Sequence, residues 1–254
     1  MNEIDWSMKE NNKRILLALY NDQNEPLWIS KTSLQALCPQ LSATGFRSAL
    51  FLLEKRKFLQ VDTSISPPRY SLSSYGKSFL EGLFPALLTA DVKEEVWSAL
   101  VVFLQAPKSD RNFRYLRTFL LDRQAVALTR AVFLLPAGLS TEVKLELERS
   151  YQGLVVVFAL QKWLLGDELQ IIGQKVNMQD LLGLYSGLSK EIDRLLSMKN
   201  DEKTLMMQEK QQLSSAFDRF MTILAADKAA LQAYFPQVVG AKEILKALQK
   251  LLLL

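Results

Sequence analysis

The sequence predicts an α+β protein in three parts, and three patterns carry that prediction. Between Ser42 and Leu72 a helical period of apolar residues gives way to strand alternation and a proline-rich turn. Between Glu95 and Leu160 short apolar runs alternate with amphipathic stretches in the order βαββαβ. From Met178 onward helical spacing alone remains. The expected domains are residues 1–88, 89–176 and 177–254.

The first part opens with a polar lead-in, Met1 to Glu10, in which Trp6 could fold back on the first helix. Lys13 to Tyr20 is that helix, and Pro26 to Ser30 is a short strand. Ser33 to Cys38 forms a second helix, opening after Ser30 and Lys31 and ended by Pro39. Ser42 then suits an N-cap. Phe46, Ala49, Leu50 and Leu53 recur at i, i+3, i+4 and i+7, so one face of the third helix is apolar, while Thr44, Arg47, Ser48 and Phe51 occupy the other. After Lys55, Arg56 and Lys57 the period becomes two: Phe58, Gln60 and Asp62 alternate with Leu59 and Val61. Proline cannot donate to a ladder, so Ser64 to Pro68 must turn, and Arg69 to Leu72 returns as a second strand. Three helices followed by a hairpin make a winged helix-turn-helix, whose last helix enters a DNA major groove. A helix from Ser73 to Leu83 closes this part.

In the second part Glu95 to Leu104 reads as a strand covered on both faces. Arg111 to Leu121 is a helix with Phe113, Leu116 and Leu120 on one side and Arg111, Arg114 and Arg117 near the other. Two strands, Gln124 to Thr129 and Ala131 to Leu135, precede the breaker Pro136-Ala137-Gly138. A helix from Thr141 to Tyr151 and a strand from Gly153 to Leu160 complete a ferredoxin-like order. Lys162 to Val176 reads as an edge strand or a joining loop.

The third part contains helices from Met178 to Met198, from about Leu205 to Ala226, and from Ala241 to Leu253, with Asn200 to Glu202 interrupting the first two. The Leu205-Met206-Met207 stretch suits adaptable core. These helices carry more apolar face than three alone need to bury, which predicts a homodimer.

Composition narrows the chemistry. The 254 residues include no histidine and one cysteine, which removes histidine-dependent nucleophile activation and His- or Cys-ligated zinc. Neither a P-loop nor a dinucleotide fingerprint is present. Enzymes that rely on carboxylates or lysines remain open, but no catalytic residue, metal or cofactor is singled out. Cys38, on an apolar helix face, suits a small core residue. Apolar runs such as Ala99 to Leu104 and Leu154 to Leu160 fall short of the ~20 residues of a membrane span, and no signal peptide opens the chain, so a cytoplasmic location is expected. A net charge of +4 favours a polyanionic partner. The residues expected to meet double-stranded DNA are Lys31, Thr32, Ser42, Thr44, Arg47, Ser48, Lys55, Arg56, Lys57 and Arg69.

The order of parts and several phrases resemble the PaaX family of bacterial transcriptional repressors. FRSALFLLEKRKFLQVD is similar to the family's arginine-containing recognition helix, and Tyr70, Leu72, Ser73 and Gly76 to its "Y-x-L-T-x-x-G" phrase. Trp97, Arg111 to Leu120 and AVFLLPAG resemble the family's central domain, which is similar to the Cas2 nuclease fold. Asp227, Leu231, Tyr234, Phe235, Pro236 and Gly240 resemble the phrase before its last helix. Val239 stands where the family has tryptophan, and Glu95-Val96 where it has glycine-arginine. The resemblance implies a dimeric repressor binding a DNA operator, relieved by a small effector of acyl-coenzyme A type. Two other functions compete. A metal-dependent nuclease of Cas2-like fold needs an acidic residue at the end of its first strand, where this chain has Leu104-Gln105-Ala106. A protein-interaction adaptor that has lost DNA binding would have little use for Arg47, Arg69 and the Lys55 to Lys57 run.

Overall fold

Two small antiparallel sheets, set among helices that make up most of the chain, give the α+β class expected from the sequence. The computed structural model describes residues 8–23, 25–88, 97–136, 139–151, 153–198 and 207–253. Trp6, the start of the strand at Glu95-Val96, the Ala137-Gly138 breaker, the Asn200 to Glu202 interruption and Leu205-Met206 lie outside the described residues. Packing gathers the chain into two compact units. One comprises residues 1–80, 186–222 and 241–254, and the other residues 81–185 and 223–240. In space, then, the C-terminal helices are shared between the units, whereas the sequence divides at 88 and 176.

In the first unit α1 (Glu10–Ala18), β1 (Ile29–Ser30), α2 (Lys31–Ala36), α3 (Ala43–Lys55), β2 (Leu59–Asp62) and β3 (Arg69–Leu72) follow in winged-helix order. The sheet runs β1-β3-β2. Its registers set Leu59 opposite Leu72, Asp62 opposite Arg69, and Ser30 opposite Arg69. Ile15, Leu16, Leu17, Leu34, Phe46, Leu53 and Phe58 are buried. The last helix, α11 (Ala241–Leu253), buries Ile244, Leu245, Leu248 and Leu252 in the same unit and packs on α1 and α2. Gln249 donates to the carbonyls of Ala18 (3.1 Å) and Tyr20 (2.6 Å), satisfying acceptors that the end of α1 leaves open. Arg14 is buried, donating to the Leu37 carbonyl at 2.6 Å and pairing with Asp218 of α9 (Met207–Asp227).

In the second unit β4 (Trp97–Phe103), α5 (Arg111–Asp122), β5 (Val126–Ala127), β6 (Val132–Pro136), α6 (Thr141–Tyr151) and β7 (Val155–Ala159) form the expected βαββαβ order. The sheet order β5-β6-β4-β7, antiparallel throughout, is that of a ferredoxin-like fold. Phe103 anchors its core, edge-on to Phe113 (5.1 Å), Phe133 (5.8 Å) and Tyr151 (5.5 Å between ring centres).

Three expectations need correction. The strand expected over Pro26 to Ser30 shortens to Ile29–Ser30. Within Lys162 to Val176, expected as edge strand or loop, residues Glu168–Val176 form a helix, α7. Asp167 caps it by accepting from Gln170 N–H at 3.1 Å, and Ile172 and Val176, four apart, are its buried positions. The strand expected over Gln124 to Thr129 shortens to Val126–Ala127, because Gln124 takes a left-handed backbone (φ 65°) and Thr129 sits in the turn. The long helix α8 (Met178–Met198) agrees with its expected bounds, and a further short one, α10 (Ala230–Tyr234), follows α9. Among the described residues no helix is long and apolar enough to cross a membrane.

Candidate nucleic-acid interface

The candidate surface is built on α3. Its first turn is capped by Ser42, whose hydroxyl oxygen accepts from Gly45 N–H at 3.1 Å. Phe46, Leu50 and Leu53 are buried, which leaves Thr44, Arg47, Ser48, Phe51 and Lys55 exposed on the opposite side. Arg47 uses only Nε within its own helix, donating to the Ala43 carbonyl at 3.3 Å, and among the described residues it makes no ion pair. The residue as a whole is exposed. The Ser48 hydroxyl donates to the Thr44 carbonyl at 3.0 Å, so its proton is committed to the helix while its oxygen can still accept.

The C-terminus of α3 carries Lys55, Arg56 and Lys57, all exposed. Lys57 N–H bonds to the Glu54 carbonyl (2.8 Å) and Phe58 N–H to the Leu53 carbonyl (2.9 Å), which is a Schellman closure. That motif requires a left-handed residue, and here it is Lys57, at φ 63°. Arg47 and Lys55 are eight residues apart, so about 12 Å of helix axis separates them. The two ends of α3 thus contribute two basic sites, about 80° apart round the helix.

The wing is fixed from behind. Phe58 stacks on Tyr75 (5.1 Å) and meets Phe79 at a tilt (4.9 Å), both on α4 (Ser74–Leu83). Ser73 donates its N–H to the Phe58 carbonyl at 3.0 Å and its hydroxyl to the Lys57 carbonyl at 2.5 Å, and its oxygen caps α4 at Gly76 N–H (2.9 Å). Gly76 is required there: a Cβ would lie 2.3 Å from the Phe58 carbonyl oxygen.

The sheet registers bring a second group together. Ser30, opposite Arg69, caps α2 through Ser33 N–H (3.1 Å), so Lys31 and Thr32 start α2 next to the Arg69 end of the wing. Arg69 is exposed and faces Asp62 across the ladder. The Ser64 hydroxyl and N–H, and more weakly the Arg69 charge, hold the Asp62 carboxyl below the ordinary carboxylate range. By element, the ten expected positions fall on α3 and its two ends, on the start of α2, and on the wing.

In the second unit Asp110 caps α5, accepting from Phe113 N–H (3.0 Å) and the Tyr151 hydroxyl (2.9 Å). Those two donors lower its pKa, while burial and the Asp110 carboxylate raise that of Tyr151. Among the described residues no group of three or more Asp, Glu or Cys side chains is placed to hold a metal ion.

No family model matches the chain, and no curated protein matches it. Among solved structures it is similar to the uncharacterized protein Rv0674 of Mycobacterium tuberculosis, at 17% identity over 94% of this chain and 97% of that one, with a TM-score of 0.43.

Proposed function

We propose that this chain is a sequence-specific DNA-binding transcriptional regulator, a repressor of the PaaX type, acting in the cytoplasm as a homodimer and not as an enzyme. The observation that carries the reading is the solvent face of α3, where Arg47, between Thr44 and Ser48 in the first two turns, has no ion-pair partner among the described residues. In a winged helix these turns meet base edges, and an arginine with free terminal nitrogens suits the two acceptors of guanine. Lys55, Lys57, Lys31 and Arg69, at the helix end and the wing, suit phosphates on either side. Ser42 and Thr32 stand exposed at the helix starts, within reach of the same backbone. Dimerisation suits a two-fold operator, and a small acyl-coenzyme A effector follows from the family resemblance.

The test selects duplexes bound by the full-length protein from random and genomic pools, then measures operator and scrambled duplex over a salt series. Arg47→Ala should cost about 1–3 kcal/mol at one base pair and leave non-specific binding in place. Arg69→Ala should weaken every duplex alike and reduce the salt slope by about one. Equal, sequence-independent losses for both variants would sink the base-reading role, and failure to select any duplex would sink DNA binding itself.

A further inference from the structure

Phe51 is 64% exposed, more than any other large apolar side chain described in the unit that holds the wing. It follows Arg47 by four residues and Thr44 by seven, and precedes Lys55 by four, so it lies in the middle of the polar stripe of α3, away from buried Phe46 and Leu53. Leu52, 36% exposed, borders it one residue round the helix. No described aromatic ring stacks on Phe51, in contrast to Tyr75, which is also exposed but rests on Phe58. A phenyl ring held in water forgoes the gain of burial unless a partner covers it.

The neighbours of Phe51 define that partner. Arginine, lysine, serine and threonine around a single ring would fit poorly against an apolar protein patch. A DNA major groove offers what they need: hydrogen-bond acceptors, phosphates, and one apolar group, the 5-methyl of thymine. Four residues of helix advance about 6 Å, close to two base-pair rises. We propose that Phe51 reads a thymine 5-methyl group about two base pairs along the groove from the base contacted by Arg47. This rests on the DNA-binding reading above and adds a specificity-determining residue to it.

The experiment takes an operator selected by the full-length protein and replaces each thymine singly by deoxyuridine, which keeps pairing and removes only the methyl. Wild type should lose about fourfold in affinity at one or two thymines near the pair where Arg47→Ala relaxes selectivity, the effect of one methyl-sized group left in water. Phe51→Ala should bind the thymine and uracil duplexes equally at those positions. The uracil scan uses unaltered protein, so its result does not depend on how the variant folds. A flat scan, or a Phe51→Ala protein that keeps the full thymine preference, overturns the assignment while leaving DNA binding intact. A Phe51→Ala protein altered in sedimentation but not in base preference also overturns it, since the ring would then cover protein. If no duplex is selected, both readings fail together.

Discussion

Replacing Gly76 by alanine should destabilise the protein, although in an open helix the same change stabilises. An added Cβ would stand 2.3 Å from the Phe58 carbonyl oxygen and 3.2 Å from Leu72 Cγ, and the first of these is backbone that cannot rotate away. To relieve the contact α4 must retreat from the wing, which stretches the Ser73 N–H to Phe58 carbonyl bond (3.0 Å) and the Ser73 hydroxyl to Lys57 carbonyl bond (2.5 Å). Overpacking costs about 1–3 kcal/mol, and one weakened hydrogen bond about 1 kcal/mol. Alanine's better helix propensity returns about 1 kcal/mol. The net loss is about 1–3 kcal/mol, or roughly 2–12 °C in Tm at about 2–4 °C per kcal/mol. Gly82, in the same helix with nothing within 4 Å of its Cβ position, is the control, and Gly82→Ala should gain about 0.4–1 kcal/mol. Chemical denaturation and calorimetry of both variants decide the matter. If Gly76→Ala is as stable as wild type, or moves in the same direction as Gly82→Ala, the close approach of α4 to the wing is refuted.

Lys57→Gly removes a side chain from a left-handed position, so it should raise stability by about 1 kcal/mol while withdrawing one cation from the DNA face; unchanged denaturation midpoints would contradict the strain at that residue. Burial raises the Asp227 carboxyl above the ordinary carboxylate range, although the Tyr185 hydroxyl (2.6 Å) and the Leu231 and Ala230 N–H groups work the other way. The folded state therefore binds that proton more tightly than the unfolded one. The group's contribution is fully present below the ordinary pKa and lost as pH rises through the raised value. Asp227→Asn, which keeps the neutral shape, should reduce the difference in denaturation midpoint between acidic and neutral buffer, and an identical difference in both proteins would count against it. Burial pushes the Cys38 thiol up to about 11 from 9.0, with Arg14 opposing, so its thiolate should be about 100-fold scarcer than that of a free thiol. Thiol-specific reagents should label the native protein far more slowly than the denatured one; equal rates would place Cys38 at the surface.

The sequence by itself determined the local elements, because their causes are local. Ser42 and Ser73 cap helices through N–H groups three residues on, and Phe46, Leu50 and Leu53 repeat at the helical period, so each is legible within one turn. The alternation from Phe58 to Asp62 and the prolines after it specified the wing for the same reason. The basic positions were legible as residue types, but their use was not. That Ser48 spends its proton on the Thr44 carbonyl, that Arg69 faces Asp62, and that Arg47 has no ion-pair partner among the described residues depend on rotamers and registers with no sequence period. The segment from Lys162 to Val176 was ambiguous because its apolar run is short enough for either strand or helix, and only packing of Ile172 and Val176 decides. Tertiary structure alone brought Arg14 to Asp218, 204 residues away, and Gln249 to the end of α1, 231 residues from Ala18. Such pairs leave no local trace, since each partner's residue type is equally compatible with a solvated surface until the chain folds and removes the water from between them.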